Sequence, residues 1–258
     1  MFVIRKRRLG LSKCMVWFAE RAIDLPDCDA AYLFATEQGP EAAEAGFRCQ
    51  GTPTFLLDLT RDPDNLLAQM KKRCRYDIRQ SDKSGISIKI GSHVSEFADL
   101  YRDFTEKKQL NEYLNNLAVF LEHGRLYTAW LDGIMLGGLL TIEDNRQARW
   151  LLSGSMRLRD DQAATGKRIG QANRLLVWRA ALDCQDRGLE TFDLGGHYEG
   201  PDPDDPQYRI AQFKRGFGGT RVVRYRCVKL YHPLYKALKF WRDTLATTTR
   251  RAAPRRSF

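Results

Sequence analysis

Two apolar runs joined by an Asp-Gly pair constrain the fold of this chain more than any other stretch. LYTAWL (126–131) precedes Asp132 and Gly133, and IMLGGLLTI (134–142) follows them. Asp-Gly between two apolar runs is a strong signal for a tight β-hairpin turn. A second polar turn and the run ARWLLSGS (148–155) extend the hairpin. The sequence therefore predicts a three-stranded antiparallel meander.

The predicted elements on either side of this meander give the chain an α/β order. They are a strand and two helices at 86–90, 94–108 and 111–123 before it, and a long helix, a strand, a short helix and a strand at 169–188, 191–194, 210–215 and 221–230 after it. The strand after the long helix would run parallel to the last strand of the meander and splay away from it, which opens a gap for a ligand. This order resembles that of the GNAT acyltransferase fold. We therefore expect an α/β (α+β) fold with a mixed sheet flanked by helices.

The stretch from Phe192 to Gly219 holds the residues that we expect to carry the chemistry. A strand ends at Asp193 and is followed by Gly195 and Gly196, then by an acidic loop with prolines and a short basic helix that ends in glycines. This pattern allows a backbone or an anionic ligand to come close. We place Lys214 at the centre of the site. A strand, a surface loop and a helix cap without any ligand would show the same pattern.

Positive charge is concentrated near the C-terminus. The chain has 42 Lys and Arg against 32 Asp and Glu, and residues 207–258 alone hold fourteen basic residues and one acid. This asymmetry favours an anionic partner, which could be nucleic acid, anionic lipid or a phosphorylated substrate. The predicted basic amphipathic helix within 229–245 could lie on an anionic membrane together with the tail, or pack on the domain. We expect the basic tail at 246–258 to be disordered.

A domain boundary is predicted at residue 85. Residues 1–85 have the pattern of a short α/β segment that ends in one basic helix from Asp62, its N-cap, to Gly85. The meander belongs to a domain at 86–245. Arg75 and Arg79 lie on that helix. They could contact phosphates, although a solvent-exposed helix face would have the same composition.

The six cysteines are scattered, without CxxC spacing or neighbouring His residues. We therefore expect reduced, mostly buried thiols in a cytosolic protein, and neither a zinc site nor a disulfide framework. No metal is expected, because no ligand cluster is present. The N-terminus lacks the continuous apolar region of a signal peptide, and no apolar run is long enough to span a bilayer. The expected location is the cytoplasm, at the cytoplasmic face of the membrane if the last helix binds lipid.

Four stretches together resemble the Fem family of peptidoglycan-bridge aminoacyltransferases. They are KRCRYDIRQSDKSGISI, LYTAWLDGIMLGGLL, ANRLLVWRAALDCQDRGLETFDLGG and FKRGFGG, and the resemblance extends over about residues 50–240. It implies two GNAT-like halves, of which the first is shortened here. It also implies transfer of an amino acid from aminoacyl-tRNA to an amine of a peptidoglycan precursor, which could be lipid-linked. The coiled-coil arm of some members has no counterpart, since no stretch shows sustained heptads.

The resemblance also implies roles for individual residues. Phe213 and Lys214 match a Phe-Lys pair near the acyl-transfer centre of the family, where the Lys stabilises charge that develops on the ester carbonyl. A fixed cation at such an oxyanion can lower the barrier by a few kcal/mol. Asp193 and His197 could assist proton removal. The expected substrate-binding residues are Arg75, Arg79, Gly195, Gly196, Tyr208, Arg209 and Arg215.

Two other functions fit the sequence. Lys167, Gly170 and Ala172 nearly match the GNAT pattern whose backbone amides hold the pyrophosphate of acyl-CoA, with Lys in place of Gln or Arg. The acceptor would then be an amine of an amino sugar, a polysaccharide or a natural product. The same residues would also suit the plain start of a packed helix. The third class is a non-catalytic binder of nucleic acid or of an anionic membrane. Apart from aminoacyl-tRNA or acyl-CoA as co-substrate, no cofactor is expected.

Overall fold

The computed structural model describes residues 1–8, 10–20, 23, 25, 27–108, 114–156, 163–233 and 235. The chain forms two compact units, one of Met1–Thr52 with Val223–Phe258 and one of Pro53–Val222. This division differs from the boundary predicted at residue 85, because strands from the two ends of the chain belong to one unit. Most of the last predicted helix and the whole basic tail lie outside the described residues.

The smaller unit is built around four strands. They are β1 (Phe2–Arg8), β2 (Leu11–Trp17), β3 (Ala30–Thr36) and most of β10 (Thr220–Leu230), with the helix α1 (Gly39–Glu44) after β3. Strands β1 and β2 are antiparallel, β2 and β3 are parallel, and β3 and β10 are antiparallel. The core includes the buried side chains of Val16, Leu33, Ala42 and Phe47. The short α1 therefore packs on a sheet whose strands come from both ends of the sequence.

Four of the six cysteines form disulfides in this unit. The sulfur atoms of Cys14 and Cys28 are 2.20 Å apart, and those of Cys49 and Cys227 are 2.10 Å apart. The prediction of reduced thiols is wrong for these four residues, while Cys74 and Cys184 are free and buried. The local spacing gave no signal, because one pair is brought together by the parallel strands β2 and β3 and the other joins residues 178 positions apart. The expected cytosolic location loses the support that it drew from reduced cysteines.

The larger unit contains the predicted meander. Its sheet has the strand order β4 (Arg48–Asp58), β9 (Thr191–Asp193), β8 (Gln147–Ser155), β7 (Ile134–Glu143), β6 (Leu126–Leu131) and β5 (Ser87–Ile90). Only the β8–β9 pair is parallel in this order. Asp132 and Gly133 have φ angles of 49° and 78°. Two positive φ angles in succession are those of a type I′ turn, so the hairpin predicted from Asp-Gly is confirmed.

Helices flank this sheet, as the predicted fold class requires. They are α2 (Pro63–Gln69), α3 (Lys72–Asp82), α4 (Val94–Lys107), α5 (Leu117–Glu122), α6 (Ala163–Asp186) and α7 (Pro206–Arg215), with a 3-10 turn at Leu114–Asn116. Buried residues of α3 and α6 share one apolar core with β6, β7 and β8. Gly138 on β7 allows α4 to come close, since a Cβ there would lie 2.3 Å from the ring of Phe97. None of the described helices is both long enough and apolar enough to cross a bilayer.

The single helix predicted from Asp62 to Gly85 is two helices. Asp62 caps the first as predicted, since its Oδ1 accepts a hydrogen bond from Asn65 N at 2.9 Å. Met70 and Lys71 then have extended backbones, with ψ angles of 152° and 145°. The amide of Lys71 donates to the carbonyl of Gly216 at 2.9 Å, beyond the end of α7. This distant contact replaces a helical hydrogen bond, which explains why the break is invisible in the local pattern.

Candidate functional site

The parallel strands β8 and β9 separate soon after they meet. They pair only at Gln147–Thr191, Ala148–Phe192 and Arg149–Asp193. Strand β9 ends at Asp193, whereas β8 continues to Ser155. The pairing of β8 and β9 thus ends after three residue pairs, at the place where the element order predicts a gap, and the glycine turn follows β9 there.

Asp193 organises this glycine turn from within the core. Its carboxylate, in a residue only 1% exposed, accepts hydrogen bonds at Oδ1 from the hydroxyl of Thr54 at 2.5 Å and from the amide of Gly195 at 2.7 Å. Its Oδ2 forms an ion pair with Arg149. Gly195 has a φ of 74°, and a Cβ there would lie 2.7 Å from the carbonyl oxygen of Trp150. Both carboxylate oxygens are engaged, so Asp193 holds the turn rather than waiting as a free proton acceptor.

The amine of Lys214 reaches the turn that Asp193 holds. The residue is 8% exposed, and its Nζ donates to the carbonyl of Gly196 at 2.9 Å. The same Nζ lies 4.8 Å from the centroid of the Trp150 ring. Burial, assisted by the positive charge of Arg149 and opposed by Asp193, lowers the pKa of Lys214 to about 7. The site therefore holds an amine that can exist with or without its proton near neutral pH.

His197 lies close by in sequence but makes different contacts. It is 4% exposed, and its Nε2 accepts a hydrogen bond from Nε of Arg215 at 3.0 Å. Its ring packs edge-on against Phe55, and its buried Nδ1 has no hydrogen-bond partner in the part of the chain that the structure describes. Burial, followed by the charge of Arg215, lowers the pKa of His197. Among the described residues, no hydrogen bond joins His197 to Lys214, since the Lys214 amine bonds to Gly196 and the His197 ring to Arg215.

A cavity of about 450 Å³ lies beside β8 in the larger unit. Its apolar lining comes from α4, β7, β8, α6 and α7 and consists of Phe104, Leu139, Trp150, Leu176, Val177, Ile210 and Phe213. Lys108 and Arg209 line it with positive charge, and Ser153, Ser155 and Asn173 with hydrogen-bonding groups. Phe213 thus faces the cavity, while Lys214 contacts the ring of the lining residue Trp150.

The predicted substrate-binding arginines have separate surroundings. Arg209, on α7, lines the cavity and is exposed. Arg215 is held by His197. Arg75 donates to the carbonyls at the end of α2, Ala68 and Met70, which is a structural role. The remaining two predicted side chains are the exposed Arg79, on α3, and the half-buried Tyr208, in the first turn of α7.

The predicted pyrophosphate cradle of acyl-CoA is not formed by the residues that suggested it. Helix α6 begins at Ala163, so Lys167, Gly170 and Ala172 lie within it. The amides of Gly170 and Ala172 belong to the interior of a helix, where the carbonyls four residues earlier accept their hydrogen bonds. Ala172 is fully buried in the core, and Lys167 is exposed. Gly170 instead lines the cavity.

Sequence reasoning missed a buried acidic residue on the basic helix α3. Asp77 accepts hydrogen bonds from Nε of Arg73 at 2.9 Å and from Nε2 of Gln171 at 3.3 Å. Arg174, on α6, forms an ion pair with Asp77 at 3.5 Å, and its guanidinium lies 4.9 Å from the centroid of the Phe213 ring. The cluster therefore connects α3 and α6 to a residue of the cavity wall. An acid in the middle of a helix rich in cations was the available signal.

Comparisons with known proteins agree with this architecture. Residues 68–215 match the sequence profile of a family described as acetyltransferase (GNAT) domain. Among solved structures, FemX aligns with a TM-score of 0.66 at 14% identity, over 91% of this chain and 85% of that one. The C-terminal domain of a putative lysylphosphatidylglycerol synthetase from Agrobacterium fabrum aligns with a TM-score of 0.56 at 15% identity, over 94% and 84%. At these identities the structures show a shared fold. A search of curated proteins found no match.

Proposed function

Because this chain belongs to the family of acetyltransferase (GNAT) domains, we propose that it forms an amide bond by moving an amino acid from aminoacyl-tRNA to an amine of a peptidoglycan-type precursor. Acyl transfer follows from the family. The aminoacyl donor is supported by the fold shared with FemX and with a lysylphosphatidylglycerol synthetase domain. The observation that carries the proposal is the buried amine of Lys214, which bonds to the glycine turn where the pairing of β8 and β9 ends.

The proposed reaction needs little beyond orientation and charge stabilisation. The acceptor amine, as a free base, attacks the carbonyl carbon of the ester and forms the C–N bond, while the carbonyl electron pair moves onto oxygen. Collapse of this oxyanion restores the carbonyl and breaks the C–O bond to the tRNA. The attacking nitrogen loses one proton and the departing hydroxyl gains one. The oxyanion is the charged species that a fixed cation stabilises best.

Lys214 is the group to which we assign that stabilisation. Its ammonium form carries the charge, and the carbonyl of Gly196 and the ring of Trp150 hold it in place. Thr54, Arg149 and Asp193 are positioning residues in this proposal, since they fix the turn that carries Gly196. His197 and Arg215 hold each other, and they are proposed to shape the surroundings of the gap rather than to move a proton.

The test is to incubate the protein with charged tRNAs and a lipid-linked precursor and to measure amide formation. Lys214→Ala should reduce transfer by about a hundredfold or more, the effect of losing one oxyanion donor. It should leave tRNA binding intact, with affinity that falls steeply as salt is added. Lys83→Ala removes an exposed lysine as the matched control. Full transfer by Lys214→Ala would refute the assigned role.

A second candidate is transfer from acyl-CoA, which the family match favours. The same reaction mixture with acyl-CoAs in place of tRNA, followed by detection of the released CoA thiol, separates the two donors. Because Gly170 and Ala172 do not offer free amides, a CoA-dependent enzyme would have to hold the pyrophosphate elsewhere. Absence of turnover with both donors would favour a non-catalytic binder.

A further inference from the structure

We propose that the cavity beside β8 selects an acyl group with a large apolar substituent, attached to a carrier that bears phosphate. The inference rests on the proposed function, because it names the substrate class of the same site. It starts from the walls of the cavity, where seven apolar side chains from five elements face one space. These seven side chains offer apolar contact to a substituent that packs against them, and no hydrogen-bond partner to a polar or charged one.

The size of the cavity points to a substituent larger than an acetyl group. A water molecule occupies about 30 Å³ of liquid, so 450 Å³ is space for roughly fifteen non-hydrogen atoms. An acetyl group would fill a small part of it and leave most of the wall uncovered. A medium-length fatty acyl chain, or an aminoacyl group with a large apolar side chain, would cover Leu139, Leu176 and Ile210 together.

Two cations in the lining favour a ligand that carries negative charge. Lys108 follows the last turn of α4 and Arg209 lies on α7, and both line the cavity. Positive charge at the cavity attracts a phosphate. The pair therefore favours a phosphate-bearing carrier, while the apolar walls disfavour a transferred group whose side chain ends in a charge, such as lysyl. The carrier can be the end of an RNA or CoA, since both present phosphate.

Gly170 sets the length of the apolar substituent in this proposal. It lines the cavity from α6, and within the described part of the chain a Cβ there would meet a guanidinium nitrogen of Arg174, at 3.8 Å, and no other atom within 4 Å. A larger side chain would thus enter the cavity without clashing with the helix. Gly166 lies one turn earlier on α6, and a Cβ there would find no atom within 4 Å among the described residues. The two glycines form a matched pair, with one at the cavity and one away from its lining.

The binding test uses decyl phosphate as a minimal probe, with inorganic phosphate and decyl maltoside as controls, in titration calorimetry. Decyl phosphate should bind at least about tenfold more tightly than either control, because only it satisfies both the walls and the cations. Gly170→Leu should weaken this binding by about tenfold or more, since filling the space costs on the order of 1–3 kcal/mol. Gly166→Leu should leave it unchanged. Equal binding by Gly170→Leu and the unmodified protein would overturn the proposal.

The activity test separates the two carriers. Phenylalanyl-tRNA should react faster than glycyl-tRNA or lysyl-tRNA if the carrier is RNA, and decanoyl-CoA faster than acetyl-CoA if it is CoA. In either case Gly170→Leu should reverse the preference toward the smaller group. Binding of acetyl-CoA without binding of decyl phosphate would overturn the proposal, because the cavity would then hold the arm of CoA. Gly170-dependent binding of decyl phosphate without any turnover would refute the proposed function and leave the cavity assignment standing.

Discussion

Lys214 couples the stability of the folded chain to the charge that the proposed chemistry needs. Burial and Arg149 lower its pKa from 10.5 to about 7, so the folded state disfavours the ammonium form. Between these two pKa values the unfolded chain binds more protons than the folded chain, and the stability of the fold therefore rises with pH. At a pH below the lower pKa, Lys214 is protonated in both the folded and the unfolded chain. The folded chain then bears the full free-energy cost of burying the ammonium charge.

Replacement of this lysine by an apolar residue should therefore stabilise the protein while it abolishes transfer. We expect Lys214→Met to raise the free energy of unfolding by about 1–3 kcal/mol near pH 6, since one pKa unit corresponds to about 1.4 kcal/mol. The gain should shrink as the pH approaches 10.5 and vanish above it. Denaturant unfolding at several pH values measures it, with the exposed Lys83→Met as control. A variant that is less stable than the parent at low pH would contradict the buried ammonium.

At the scale of elements, the glycine end of α7 meets the break between α2 and α3. The amide of Lys71 bonds to the carbonyl of Gly216, and a Cβ on Gly218 would lie 2.6 Å from the carbonyl oxygen of Gln69. Close approach of two backbones thus holds α7, which carries Phe213 and Lys214. The sequence indicated the glycines, but not what they approach.

Gly218→Ala tests this contact between elements. Gly218 and Gly91 both have positive φ angles, 74° and 71°, but a Cβ on Gly91 would have none of the described atoms within 4 Å. Gly91→Ala should thus cost only the backbone strain, about 1 kcal/mol. Gly218→Ala should cost about 2 kcal/mol more, because a backbone atom must move as well. Thermal unfolding compares the two variants, and equal losses would mean that α7 is not held by this approach.

Elements with local signals were predictable, whereas contacts between distant segments were not. The Asp132-Gly133 turn and the start of α2 at Asp62 follow from neighbouring residues, and both are confirmed. The partners of Asp193 come from β4 and β8, far away in sequence, so Thr54 and Arg149 carried no signal of their own. The site was thus located by its glycines and its lysine, and its supporting network required the fold.

At the scale of the whole molecule, the disulfides constrain where the proposed donor can be met. Both disulfides lie in the smaller unit, and the Cys49–Cys227 disulfide closes a loop of 178 residues that includes the entire larger unit. Disulfides persist in oxidising compartments and are rare in the reducing cytosol, where charged tRNA is made. The redox state of these four cysteines therefore bears on the choice of donor.

Thiol counting determines this state. In protein purified without reductant and then denatured, we expect two thiols to react with an alkylating reagent, those of Cys74 and Cys184, and all six to react after reduction. Reduction of the Cys49–Cys227 disulfide, which closes the long loop, should lower the free energy of unfolding by several kcal/mol, about 5 kcal/mol in the chain-entropy account. Cys49→Ala should reproduce most of this loss. Cys184→Ala, which removes a free cysteine, should lose as much stability on reduction as the parent does.

Alkylation in intact cells then connects the redox state of these cysteines to the location of the protein. Six reactive thiols there would match a cytosolic enzyme supplied with aminoacyl-tRNA, and two would favour a donor available in an oxidising compartment.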